Sequence, residues 1–219
     1  MQQKWIGLIA LFSLILGVYL AITIAPPGFN DDKPLSEQTQ HLNWYPQARA
    51  LTDFELSKHD GSTMTNADLT GQWTLAFVGY TFCPDICPVT LAQINNVYPQ
   101  LQASVQETPL RVWFLSVDPN RDTVERLNEY VSYFNPDFIA TTGPHIQLFP
   151  LVRSMGMMYS TSESTDNPNY LVDHSASIVV INPEGNVVGR FKPKHIPGEL
   201  AISDVDHILA DMPILLGSS

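Results

Sequence analysis

From Trp73 to Tyr80 the chain is almost unbroken in apolar, strand-favouring residues, among them Leu75, Ala76, Phe77 and Val78. A run without polar alternation predicts a central strand covered on both faces. Pro88 suits a first helical position, so a helix is predicted from there through Leu91, Ile94 and Val97 to about Leu101. A second apolar run, Leu110 to Val117, predicts a second strand. Beyond it Asp122 or Thr123 can cap a helix with Val124, Leu127, Tyr130, Val131 and Phe134 along one face. Ile146 to Met155 carries Leu148, Phe149, Leu151 and Val152 and predicts another helix, ended near Gly156. After a polar insert, Ser160 to Asn169, strands are predicted at Ala176–Ile181 and Val187–Phe191 around a turn at Asn182–Asn186, with a last helix over about Gly198–Ala210. Ahead of all these, Asp53–Ser57 alternates polar and apolar residues before Asp60-Gly61, the pattern of a short hairpin. Two βα units, then a hairpin and a helix, make an α/β chain of the thioredoxin arrangement, a central mixed sheet flanked by helices.

Trp5 to Ala25 contains no charged residue and little that is polar beyond Ser13 and Thr23. As a helix it would be about 31 Å long at ~1.5 Å per residue, enough for a bilayer core, and an N-terminal transmembrane helix is expected. The run is longer than the apolar region of a cleaved signal peptide, and Pro26-Pro27 is a poor cleavage context. Lys4 before the span and Asp31-Asp32 after it place the amino terminus in the cytoplasm and the remainder outside. Without an Arg-rich presequence, the expected location is a bacterial inner membrane, with the soluble domain on the periplasmic side. Polar sequence with Pro26, Pro27, Pro34 and Pro46 follows and reads as a tether. The expected organisation is a cytoplasmic tip and anchor over 1–25, a tether over 26–50, a thioredoxin-like domain over 51–212 and a tail over 213–219.

Charge narrows the partners. Against 11 Lys and Arg stand 22 Asp and Glu in 219 residues, which argues against nucleic acid. The 44% hydrophobic content is enough for a sizeable core.

The only two cysteines, Cys83 and Cys87, stand together in Gly79-Tyr80-Thr81-Phe82-Cys83-Pro84-Asp85-Ile86-Cys87-Pro88, between the first predicted strand and its helix. Thiols so placed ligate a soft metal or cycle through a disulfide, and a helix N-terminus lowers a thiol pKa for either purpose. Thioredoxin-type exchange uses two intervening residues. Pro84-Asp85-Ile86 widens the loop, so that both sulfurs can face a third ligand. His41, His59, His145, His195 and His207 fall at positions read as surface. His174 stands just before the predicted strand at Ala176, in a loop that in this arrangement abuts the cysteine loop at the carboxyl edge of the sheet. Two thiolates and an imidazole suit copper, three-coordinate as Cu(I) or with one weak further ligand as Cu(II). Zinc is the chemical rival, but a structural zinc wants a fourth strong ligand, and only Asp173 or Asp85 offers one. Asp173 is read instead as orienting His174 or its loop. Met155, Met157 and Met158 are read as core filling. Asp118 and Arg121 fit equally a partner-facing surface or a loop ion pair.

Three segments, Gly79 to Pro88, Ser116-Val117-Asp118-Pro119-Asn120-Arg121-Asp122-Thr123 and Val172-Asp173-His174-Ser175, resemble in order the three signatures of the Sco/SenC family. The resemblance runs from about residue 50 to 210. It implies the family's fold, copper binding and a role in assembling the copper centre of cytochrome c oxidase, with Cys83, Cys87 and His174 matching the family's copper ligands. The function it implies is a membrane-tethered copper metallochaperone serving the copper-accepting subunit of the oxidase, supplied by an upstream copper donor or a thiol reductant. The alternative is a thiol-disulfide reductase, with Cys83 and Cys87 as the redox pair, that keeps the oxidase's copper-binding cysteines reduced.

Overall fold

The computed structural model describes residues 13–17, 19, 34–161, 167–198 and 200–217. It divides into two units, Met1–Pro34 and Leu35–Ser219. In the first, residues 13–17 and 19 are helical and exposed. The rest of the expected Trp5–Ala25 span lies outside the described residues, among which no helix is long and apolar enough to cross a membrane.

In the second unit the strands are β1 (Asn43–Ala50), β2 (Glu55–Lys58), β3 (Thr63–Thr65), β4 (Trp73–Gly79), β5 (Leu110–Ser116), β6 (Ile139–Thr142), β7 (Tyr159–Thr161), β8 (Val172–His174), β9 (Ile178–Ile181) and β10 (Asn186–Phe191). The helices are α1 (Leu35–Gln38), α2 (Ile86–Ala103), α3 (Val124–Phe134), α4 (His145–Ser154) and α5 (Val205–Gly217). Among the described residues eight strands form one mixed sheet, ordered β1-β10-β9-β4-β5-β6-β2-β3. β4, β5 and β6 run parallel, and the other pairings are antiparallel. β7 and β8 pair only with each other, as a ribbon separate from the main sheet.

Every residue of β4 is buried, as its unbroken apolar run requires. Side chains alternate between the two faces of the sheet. Leu75, Phe77, Val112 and Phe114 meet Leu91 and Ile94 of α2, Leu127 and Val131 of α3, and Ile208 and Met212 of α5. Ala76, Val78, Trp113 and Leu115 meet Leu148, Leu151 and Val152 of α4 on the other face. The buried stripe of α2 is Cys87, Thr90, Leu91, Ile94, Val97, Tyr98 and Leu101, at helical spacing. Cys87 is therefore the first member of a core stripe, carried inward by the same periodicity as the leucines.

Folded structure begins earlier than the 26–50 tether implied, because α1 and β1 lie inside that stretch. β1 is a mostly exposed edge strand containing Pro46, so neither an apolar run nor alternation marks it. It pairs with β10 at Gly189, where a β-carbon would lie 2.7 Å from the Asn43 carbonyl oxygen. The last helix begins at Val205, seven residues after Gly198 (205 − 198), since Gly198 takes a φ of 86° and Asp204 accepts from the Asp206 amide at 2.9 Å. It continues through the expected tail to Gly217, with Leu215 and Leu216 buried despite Pro213. Asp211 on this helix accepts the backbone N–H groups of Gln40 (3.0 Å), His41 (2.7 Å) and Leu42 (2.7 Å), tying the start of the domain to its end. The hairpin at Asp60-Gly61 is present as β2 and β3, with Gly61 at φ 85°.

Candidate metal centre

β4 ends at Gly79, and the loop that follows turns through a Cys83 N–H donating to the Tyr80 carbonyl at 3.3 Å before α2 begins. Cys83 lies in that loop, and Cys87 lies inside the first turn of α2, two residues deeper than a start at Pro88 implied. Asp122, fully buried, holds the loop: it accepts from the Thr81 amide (2.9 Å), the Thr81 hydroxyl (2.7 Å) and the Ser116 hydroxyl (2.5 Å). Burial raises its pKa above the usual carboxylate value, against the lowering effect of those hydrogen bonds. The cap of α3 falls to Thr123, whose hydroxyl accepts from the Arg126 amide at 3.2 Å. Of the two cap candidates, Asp122 instead anchors the cysteine loop, a role visible only once β4 and β5 are known to be neighbours.

His174 is the last residue of β8, opposite Tyr159 of β7, and so belongs to a short strand rather than a free loop. Its Nε2 lies 3.3 Å from the Cys87 sulfur. Its Nδ1 faces the Ser175 carbonyl at 3.3 Å. The ring meets Phe77 and Tyr80 edge-on, with centroids 6.0 and 5.9 Å away.

The sulfurs of Cys83 and Cys87 and a ring nitrogen of His174 all lie within 4.8 Å of one another. Donors sharing one ion at bonds of about 2.0–2.3 Å can be at most ~4.6 Å apart, so a few tenths of an ångström of contraction would seat a metal. No fourth His, Cys, Asp or Glu joins the three among the described residues. Asp173 is exposed and lines two hollows alongside His174. The donor set, three soft groups with Cys87 buried and Cys83 and His174 partly exposed, suits a soft monovalent ion better than a closed tetrahedral zinc site.

The thiols are free and unequal. The hydrogen bond from Cys87 holds Cys83 down to about 4 against the opposing effect of burial, with help from His174 and the Cys87 and Asp85 amides. Burial, then Cys83, pushes Cys87 well above the ordinary thiol value. The pair thus holds one thiolate at the surface and one proton beneath it.

Of the other candidates, Met155 and Met157 are core residues, but Met158 is 69% exposed and lines a hollow with Tyr159, Asp173 and His174. His41 stacks on His207 with ring centroids 3.8 Å apart, His59 meets Ala140 and His145 meets Tyr159. None of these joins the cysteines. Asp118 and Arg121 form the ion pair, Nε donating to Oδ2 at 2.6 Å, and both side chains are largely buried.

The profile of the SCO1/SenC family matches residues 45–210. A bovine protein, the mitochondrial SCO2 homologue, is 39% identical over 133 residues, 61% of this chain and 50% of its own length. An SCO2-like protein of Rickettsia felis is 32% identical over 206 residues, covering 91% of this chain and 96% of that protein. The chain spans about half the length of the mammalian mitochondrial SCO2 and SCO1 homologues it matches. The crystal structure of Arabidopsis thaliana ScoI with copper bound superposes at a TM-score of 0.62 and 32% identity, over 76% of this chain and 96% of that one.

Proposed function

Because this chain belongs to the SCO1/SenC family, we propose that it binds one copper ion through Cys83, Cys87 and His174 and delivers it during assembly of the copper centre of cytochrome c oxidase. The single observation that carries this reading is the 3.3 Å approach of His174 Nε2 to the Cys87 sulfur, which adds a third soft donor to a dithiol. Binding displaces the proton that Cys87 carries, while Cys83 is already a thiolate in neutral solution. An acceptor would reach the ion from the hollow of about 250 Å³ lined by Tyr80, Cys83, Pro84, Ile86, Leu171 and His174. Cys83 and His174 face that approach and would be exchanged first. Cys87 would let go last.

The second reading, a thiol-disulfide reductase for the copper-ligand cysteines of the oxidase subunit, is favoured by the unequal thiols, since a low-pKa thiolate beside a protonated partner is poised for exchange. The membrane anchor over 1–25 and a periplasmic domain complete the proposal and rest on the charge-free Trp5–Ala25 run.

Copper titration of the purified soluble domain tests the ligand set. One ion per chain is expected, with severe weakening in Cys83→Ser, Cys87→Ser and His174→Ala. Binding unchanged in any one of the three would remove that residue from the set. Oxidase assembly in cells separates the two readings: loss in His174→Ala supports copper delivery, and full assembly there with loss in both cysteine variants supports the reductase.

A further inference from the structure

The ribbon that carries His174 is not part of the sheet that carries the cysteines. Among the described residues β8 shares a ladder with β7 and none with the main sheet, so no backbone ladder fixes the height of His174 above Cys83 and Cys87; the Val172 N–H donates instead to the Tyr80 hydroxyl on the cysteine loop. The link to β9 restrains one end of β8. The other end is reached through residues 167–171, and one side chain grips that approach.

Arg121 donates through Nε to Asp118 at 2.6 Å and through Nη1 to the Pro168 carbonyl at 3.0 Å. Its guanidinium lies 3.6 Å from the centroid of the Tyr170 ring, and the buried Tyr170 hydroxyl donates to the other oxygen of Asp118. The rings of Tyr80 (5.6 Å) and Phe82 (4.9 Å), on the cysteine loop just before Cys83, also lie within reach of the guanidinium. One planar cation therefore touches both walls of the site: the loop that presents the thiols and the segment that delivers the imidazole. Its Nη2 is buried without a hydrogen-bond partner among the described residues, so the group is held by its rings and its other bonds. A guanidinium can donate along several directions in its plane while stacking on its face, whereas an ammonium cannot stack in this way.

We infer that Arg121 is a positioning residue that docks the Pro168–His174 segment onto the cysteine loop before metal arrives, and so sets how tightly the site holds copper. The inference rests on the copper reading of Cys83, Cys87 and His174 given above. In its terms Asp118 and Tyr170 complete the clamp. Arg121 touches no donor atom and acts through where His174 stands.

The test is competition for Cu(I) against a chelator of known affinity, in wild type, Arg121→Lys and Arg121→Gln, each with and without His174→Ala. Amide hydrogen exchange at Val172–His174 in the metal-free protein serves as a readout independent of copper. Both Arg121 variants should bind copper about 10-fold or more weakly, the range for losing a residue that orients a ligand, with Lys giving no rescue. Exchange at Val172–His174 should quicken. In the His174→Ala background the Arg121 substitutions should cost nothing further. An equal loss with and without His174 would show that Arg121 acts on the fold or the cysteine loop, and would overturn the clamp; so would wild-type affinity in both Arg121 variants while His174→Ala binds poorly. His174→Ala binding as tightly as wild type would overturn the copper reading itself, and the clamp with it. If Arg121→Gln fails to fold, Arg121→Lys, which can keep the pair with Asp118, and Tyr170→Phe, which keeps the stack but loses the hydroxyl bond, carry the same comparison.

Discussion

Gly79 and Cys87 face each other where β4 turns into α2, so closely that a β-carbon on Gly79 would lie 2.7 Å from the Cys87 sulfur and 2.7 Å from Cε2 of Phe114. A bare backbone at that point lets the first turn of the helix rest on the strand. Gly79→Ala should therefore destabilise the domain by about 1–3 kcal/mol through overpacking and weaken copper binding by displacing one sulfur. Urea unfolding and copper competition would both register the change. Wild-type values in both would mean that Phe114 and the thiol yield without consequence.

The inequality of the thiols has a pH signature in the reduced, metal-free protein. Cys83 is depressed from 9.0 to about 4, so its ionisation favours the folded state: the contribution is complete above 9.0, shrinks as pH falls and vanishes through about 4. Cys87, raised by burial, opposes folding only where an unfolded thiol would ionise, in alkaline solution. Iodoacetamide at mildly acidic pH should label Cys83 and spare Cys87, with a single thiolate absorbance step near 4. Two thiolates appearing together near the ordinary thiol value would contradict the assignment.

Mild oxidation should join Cys83 to Cys87 and block copper uptake until the bond is reduced. Their donor atoms lie within 4.8 Å, both thiols are free and no third cysteine competes. Mass mapping of a non-reduced digest checks this, and two free thiols after oxidant treatment would refute it.

Asp211→Ala should cost about 2–4 kcal/mol, because three backbone amides lose a charged acceptor while Leu42 stays buried. Copper stoichiometry should be unchanged in whatever fraction remains folded. A melting curve like that of wild type would show that water replaces the carboxylate freely.

Protease added to spheroplasts should release the domain and leave a short membrane stub beginning at the native amino terminus. The expectation rests on the charge-free Trp5–Ala25 run and on Pro26 at the would-be cleavage position. A soluble mature chain starting near Pro26 would identify the segment as a cleaved signal.

The parts of the fold that the sequence made legible are those whose pattern is imposed by burial on two sides or by helical periodicity. β4, β5, α2 and α3 were legible for this reason, and so was the joining of His174 to the cysteines. β6 is four residues long with two threonines, and β1 is exposed with a proline, so neither carries a period that distinguishes it from a loop. The last helix lies later than the expected Gly198–Ala210, because Gly198 at φ 86° stands outside it and tertiary burial of Leu215 and Leu216 carries it past Pro213. The support around the site was illegible for a different reason. Asp122 to Thr81, Asp118 to Tyr170 and Arg121 to Phe82 are pairings between distant segments, and no local pattern announces them. Met158 adjoins Met155 and Met157 in sequence, yet it is exposed where they are buried.

Cys83 and Cys87 are four positions apart (87 − 83), whereas Cys87 and His174 are separated by 87. By chain statistics a crosslink over a five-residue loop removes roughly 2 kcal/mol of freedom from the unfolded chain, and one over some ninety residues roughly 4–5 kcal/mol. A disulfide in the pair would therefore restrict the unfolded ensemble much less than an ion shared with His174, which would sew the middle of the chain to its last third. Oxidised and loaded protein both lack free thiols, yet only the cargo acts as a seam. On the copper reading, a donor that gives up its ion loses this crosslink and with it stability against unfolding, while the Arg121 contacts keep the ribbon docked beside the thiols.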